Sequence, residues 1–117
     1  MTEHETQSAI IDLINLRGGI AIRVNSGTII VKDSKGNTRA IHGAPKGTSD
    51  IIGGIPRKGV LVFTAIECKQ KPGKPTQEQI DFLDLVNSRG GIGIVAYSVD
   101  DAIELFEGQL PPAKSRW

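Results

Sequence analysis

The segment Val60-Leu61-Val62-Phe63-Thr64-Ala65-Ile66 limits what this chain can fold into more than any other. It is uncharged, free of Gly and Pro, and rich in β-branched residues, so it reads as a strand. Apolar residues on both of its faces predict a central strand covered on both sides. The run then ends in Glu67-Cys68-Lys69. Alternation along a strand puts Glu67 and Lys69 on one side, and Cys68 on the other with Ile66 and Thr64. Cys68 is then a small core residue. A carboxylate at the end of an apolar strand needs a partner, either Lys69 or a metal ion.

The remaining elements follow from local signals. Thr2 and Glu5 have capping-box spacing, which predicts a helix from Glu3 that carries Ala9, Ile10, Leu13, Ile14 and Leu16. Gly18-Gly19 ends it. Strands are predicted over 20–24, 28–32 and 38–41, the last two as a hairpin across 33–37. A loop over 42–49 leads to a short strand, 50–52, and the Gly- and Pro-rich run 53–59 reads as a turn. Thr76 caps a second helix running to about Ser88, with Ile80, Phe82, Leu83, Leu85 and Val86 on its buried side. Gly90-Gly91 precedes a strand over 92–97, and Ser98 caps a last short helix. LINLRGGIAI (13–22) and LVNSRGGIGI (85–94) nearly match, which is read as convergence on one turn chemistry. The 117 residues suit a single domain over 1–107, with a Pro-containing tail over 108–117.

The formal charge of +1 hides a strong division: −3 over residues 1–16, +8 over 17–74 and −4 over 75–117. The basic middle is the pattern of a phosphate-binding surface or of solvated lysine-rich loops. No apolar run approaches the roughly 20 residues of a membrane helix. No signal peptide is visible, and a single cysteine allows no intrachain disulfide or Cys-based zinc site. The reducing cytoplasm is the expected compartment.

Asp50 opens the strand before the long one. If the two strands are neighbours, Asp50 and Glu67 meet at one edge of the sheet. Paired carboxylates repel unless a cation or a shared proton intervenes. Oxygen-only ligation favours Mg²⁺ or Mn²⁺. Lys69 beside such a site stabilises charge developing on a phosphate or orients the attacking water.

Gly47-Thr48-Ser49-Asp50-Ile51-Ile52-Gly53 followed by Ile66-Glu67-Cys68-Lys69 resembles the PD-(D/E)XK nuclease superfamily. More narrowly, residues 3–106 are similar to the virus-type replication-repair nuclease (VRR-NUC) domain. Glu3 and Gln7 match its first helix, Arg23-Val24-Asn25-Ser26-Gly27 an R-V-N-S-G segment, and Gln79 with Phe82 its second helix. The stand-alone size resembles phage and bacterial members. The resemblance implies an α/β fold with a restriction-endonuclease-like αβββαβ core, here with an added β-hairpin. It implies Mg²⁺- or Mn²⁺-dependent phosphodiester hydrolysis by homodimers that cut four-way (Holliday) junctions in DNA.

Carried onto this sequence, it makes Glu3, Asp50, Glu67, Lys69 and Gln79 the catalytic set. Asp50, Glu67, the Cys68 backbone carbonyl and Glu3 are the metal ligands. Glu5 is left as the capping acid, and Gln79 has a competing role in a second capping box with Thr76. Arg23, Asn25, Ser26, Lys46, Lys71 and Lys74 are expected DNA contacts. The competing functions are another nuclease specificity, such as flap cutting or nicking, and a non-catalytic nucleic-acid-binding module.

Overall fold

Thr2 starts the first helix with the capping box that the sequence predicts: its hydroxyl accepts from Glu5 N, and the Glu5 carboxylate accepts from Thr2 N. The computed structural model describes residues 1–26 and 28–107. Gly27 and the expected tail over 108–117 lie outside the described residues. The elements are α1 (Glu3–Leu16), β1 (Ile20–Arg23), β2 (Thr28–Lys32), β3 (Thr38–His42), β4 (Ile51–Arg57), β5 (Val60–Cys68), α2 (Gln77–Ser88), β6 (Ile92–Ala96) and α3 (Val99–Ile103), with a 3₁₀ turn at Glu104–Phe106.

The central sheet has strand order β1-β4-β5-β6. The first two pairings are antiparallel and β5–β6 is parallel. Helix α1, α3 and the 3₁₀ turn after it cover one face through Ile10, Ile14, Ala102 and Leu105 against Ile51, Ile55, Ile66 and Ile94. Helix α2 covers the other, with Leu83 and Val86 against Ala65 and Val95. This is the mixed sheet between helices that was expected. β2 and β3 form the expected hairpin as a separate two-stranded sheet.

Three local expectations are corrected. The run 53–59 is not a turn: β4 continues through it to Arg57, and only Lys58-Gly59 turns, both at positive φ (50° and 79°). That suits a two-residue hairpin loop. The glycines serve close packing instead. A Cβ on Gly53 would overlap the Ile20 carbonyl oxygen, and one on Gly54 would overlap the Leu61 side chain. Pro56 is tolerated because β1 pairs with β4 only as far as Gly54, so no partner needs the missing N–H.

Second, β5 is covered on both faces only from Thr64 onward. Helix α2 leaves Leu61 and Phe63 of β5, Ile20 and Ile22 of β1, and its own Leu85 each about half exposed on the same side of the sheet. Leu85 is therefore not on the buried side of its helix. Third, Ser98 makes no side-chain cap at α3; the Asp101 carboxylate instead accepts from Tyr97 N at 2.8 Å.

The two matching sequence segments fold alike. Asn15 in α1 clamps Ala21 in β1, its amide oxygen accepting from Ala21 N (3.1 Å) and its amide nitrogen donating to Ala21 O (3.4 Å). Asn87 in α2 clamps Gly93 in β6 in the same way, at 2.8 and 2.9 Å. The second glycine of each pair lies against the neighbouring strand: a Cβ on Gly19 would meet Gly54 O at 2.6 Å, and one on Gly91 would meet Phe63 O at 2.8 Å.

Gly53→Ala should destabilise the protein by about 3 kcal/mol, because backbone oxygen cannot rotate away from a new methyl group. Urea denaturation checks this. Gly36→Ala, where a Cβ would meet nothing but φ is +82°, should cost only about 1 kcal/mol.

Candidate active site

Ile51 pairs with Ile66, so Asp50, one residue earlier, stands opposite Glu67 at the end of the β4–β5 ladder. The Asp50 carboxylate accepts from Cys68 N at 3.0 Å, which fixes it across the strand end. Glu67 is 1% exposed. Its Oε1 accepts from Gln79 Nε2 at 3.2 Å, while its Oε2 is buried without a hydrogen-bond partner. Burial, and then the adjacent Asp50 carboxylate, push the Glu67 carboxyl up to about 9; Lys69 acts in the opposite direction. A bare pair of this kind is relieved by a shared proton or by a cation.

Gln79 closes the capping box and also reaches Glu67. Its side-chain oxygen accepts from Thr76 N at 2.8 Å to close the capping box, which leaves its amide nitrogen to hold Glu67. Lys69 continues the strand past Cys68, and its N donates to Ala96 O at 3.0 Å. Cys68 packs in the core with Ile66, and burial pushes its thiol up to about 12, so it is no nucleophile at neutral pH.

Glu3 reaches the site from α1. Its carboxylate accepts from Gln70 N at 3.1 Å, and it is near enough to raise the Glu67 carboxyl. Among the described residues, no three His, Cys, Asp or Glu side chains gather into a ready-made metal cage. Of the expected ligand set, Asp50, Glu67 and Cys68 stand together at the ends of paired strands, and Glu3 is held beside them by Gln70. Two carboxylates with an unpartnered buried oxygen still fit a hard divalent ion that keeps several waters. Gln70 itself was missed by the sequence reading. Its side chain also donates to Met1 O at 3.2 Å, so it ties the start of the chain to the site.

The expected DNA contacts divide. Arg23, exposed at the end of β1, clamps α1: Nε donates to Gln7 Oε1 (2.9 Å), and Nη2 donates to Ser8 Oγ (2.8 Å) and His4 O (3.4 Å). Asn25 O accepts from Ala44 N at 2.9 Å, and Ser26 bridges to Ala44. Lys46 forms an exposed, weak ion pair with Glu78 at 3.5 Å. Lys71 lies 5.4 Å from the centre of the Tyr97 ring. Lys74 is exposed on the same loop.

The chain matches the VRR-NUC domain family over residues 1–100. It belongs to that family. The VRR-NUC domain is a nuclease of the PD-(D/E)XK type, a class that acts on DNA and generally uses divalent metals. A solved structure described as a VRR-NUC domain shares the fold, with a TM-score of 0.61 at 20% sequence identity, covering 92% of this chain and 97% of its own. No curated protein matches this chain.

Proposed function

We propose that this VRR-NUC domain is a Mg²⁺- or Mn²⁺-dependent endonuclease that cuts branched DNA, with four-way junctions as its preferred substrate, and that it acts as a homodimer in the cytoplasm. The observation that carries the metal-dependent reading is Glu67. A buried carboxylate with an unpartnered oxygen, opposite Asp50 and followed by Lys69, is unfavourable without a cation and useful with one. The bound ion would neutralise phosphate charge and activate water for hydrolysis. Asp50, Glu67 and the Cys68 carbonyl would hold it. Gln79 fixes the Glu67 carboxylate, Gln70 fixes Glu3 beside it, and Lys69 offers positive charge where the phosphate becomes more negative.

Cleavage of labelled junction, flap, nicked and linear DNAs with each metal tests the reading. Junction cutting that is lost in EDTA is expected. Equal or better cutting of linear duplex would sink the junction preference, and DNA binding without cutting under either metal would leave a non-catalytic module.

Pairing draws support from the apolar face formed by Ile20, Ile22, Leu61, Phe63 and Leu85. Five large side chains at about half exposure make a patch of a few hundred Å², the scale that marks an interaction surface. A standard interface covers about 800 Å² per partner, so this patch suits the core of one. A cleft of about 320 Å³ between Phe63, Phe82, Leu85 and Arg89 adjoins it and would accept a side chain of the second copy. Phe63→Asp should convert a dimer to a monomer in light scattering at micromolar concentration. Because Phe63 is half exposed, the variant should lose no more than about 1 kcal/mol of fold stability. A wild-type protein that stays monomeric with and without junction DNA would remove the paired reading.

A further inference from the structure

We infer that the β2–β3 hairpin is a DNA-gripping arm rooted at the active site, and that it holds duplex beside the scissile phosphate. The inference rests on the nuclease reading above and adds a substrate-binding element to it.

The hairpin has no ladder to the central sheet. Nearly all of its described side chains are exposed, with Ile30 at 66%. Its root, however, is tied to the backbone of Asp50, the residue that stands opposite Glu67. Val24 N donates to Asp50 O at 2.8 Å, Ala44 N donates to Asn25 O at 2.9 Å, and Ser26 bridges to Ala44. Thr28 Oγ1 and His42 Nδ1, 3.0 Å apart, close the base of the ribbon. The tip is rigid for a different reason: Asp33 Oδ1 accepts from both Lys35 N and Asn37 N at 2.9 Å.

Charge identifies the occupant. Asp33 is the only acid between residues 28 and 49, and its carboxylate is engaged in the turn. Lys32, Lys35 and Arg39 face no acid within the arm. The register places Lys32 and Arg39 on opposite faces, since Lys32 pairs with Thr38 and Arg39 with Val31. A ribbon with cations on both faces suits a groove walled by phosphate on both sides, and the major groove admits a two-stranded ribbon. Five-residue strands are about 17 Å long, half a turn of duplex. Ile30 and Ile41, exposed and also on opposite faces, supply apolar contact to sugars and bases.

The test compares wild type with the triple variant Lys32→Gln, Lys35→Gln, Arg39→Gln. Junction and linear DNA binding are measured by anisotropy in EDTA across a salt series, with melting and light scattering alongside. Loss of three phosphate contacts should weaken binding at least tenfold at moderate salt and lower the salt slope by about 2–3. Melting should be unchanged, because the substituted residues are exposed. Unchanged affinity and slope would overturn the arm. So would a change of oligomeric state with DNA affinity retained, since the hairpin would then hold a second copy. A wild type that neither binds nor cuts any DNA defeats the nuclease reading instead; a wild type that cuts while the variant binds equally well defeats the arm alone.

Discussion

Glu67→Gln should leave the protein more stable and almost inactive. Without metal, burial and Asp50 keep a proton on Glu67 up to about pH 9, whereas an ordinary glutamate side chain gives its proton up near 4.5. Between those values the folded state binds more protons than the unfolded chain. Stability therefore falls as pH rises across that window, by up to about 1.4 kcal/mol per pH unit. Glutamine removes the slope and keeps the shape, and its amide gives the neighbouring Asp50 carboxylate a donor. In EDTA, wild type should melt several degrees lower at about pH 8.5 than at about pH 6, with the variant flatter across the same span. Mn²⁺ should raise the wild-type melting temperature and leave the variant's unchanged, because binding to the folded state alone stabilises it. Junction cleavage should fall at least about 10³-fold. A variant that cuts like wild type would exclude Glu67 as a ligand.

Lys69→Ala should lower the single-turnover cleavage rate by about 10²–10³-fold while DNA affinity changes much less. Two effects combine. The ammonium group that meets the charged phosphate is gone. Its pull on Glu67 is gone as well, so the carboxylate gives up its proton and accepts metal only at higher pH. The pH profile of the residual activity should therefore move upward, and more Mn²⁺ should be needed at neutral pH. Lys69→Arg should retain the position of the profile better than the rate, because the guanidinium keeps the charge but not the compact point donor. An alanine variant with unchanged rate and profile would remove Lys69 from the reaction.

The core of the site was legible because strand alternation is a strict rule. Once Val60–Ile66 reads as a strand, Glu67 and Lys69 must share a side, and Asp50 reaches them if the preceding strand is its neighbour. The Thr76–Gln79 cap was legible from its spacing, and the structure uses the amide oxygen for the cap and the amide nitrogen for Glu67. Elsewhere the signals were ambiguous. Gly53-Gly54 looks like a turn, yet the pair lets β1 and Leu61 press onto β4, an approach that only tertiary structure creates. Arg23 is the exposed cation at a strand end that it looks like, but its partners on α1, 15 to 19 residues earlier in the chain, carry no local signal. Gln70 was invisible because one of its contributions is a backbone N–H, which any residue but proline supplies. The uncovered half of the α2 face could not be read either, since a helix's length in sequence does not say which strands it lies across.

The twin asparagine clamps have a consequence for how this domain tolerates change over evolutionary time. Each clamp indexes one end of a helix to its following strand, and a side chain of the proposed active site stands near the other end: Glu3 twelve residues before Asn15, Gln79 eight before Asn87. The helices act as rulers. One residue inserted between mark and clamp would swing that side chain by about 100° and shift it about 1.5 Å along the axis. Insertions and deletions should therefore be excluded from 3–15 and 79–87 among functional descendants.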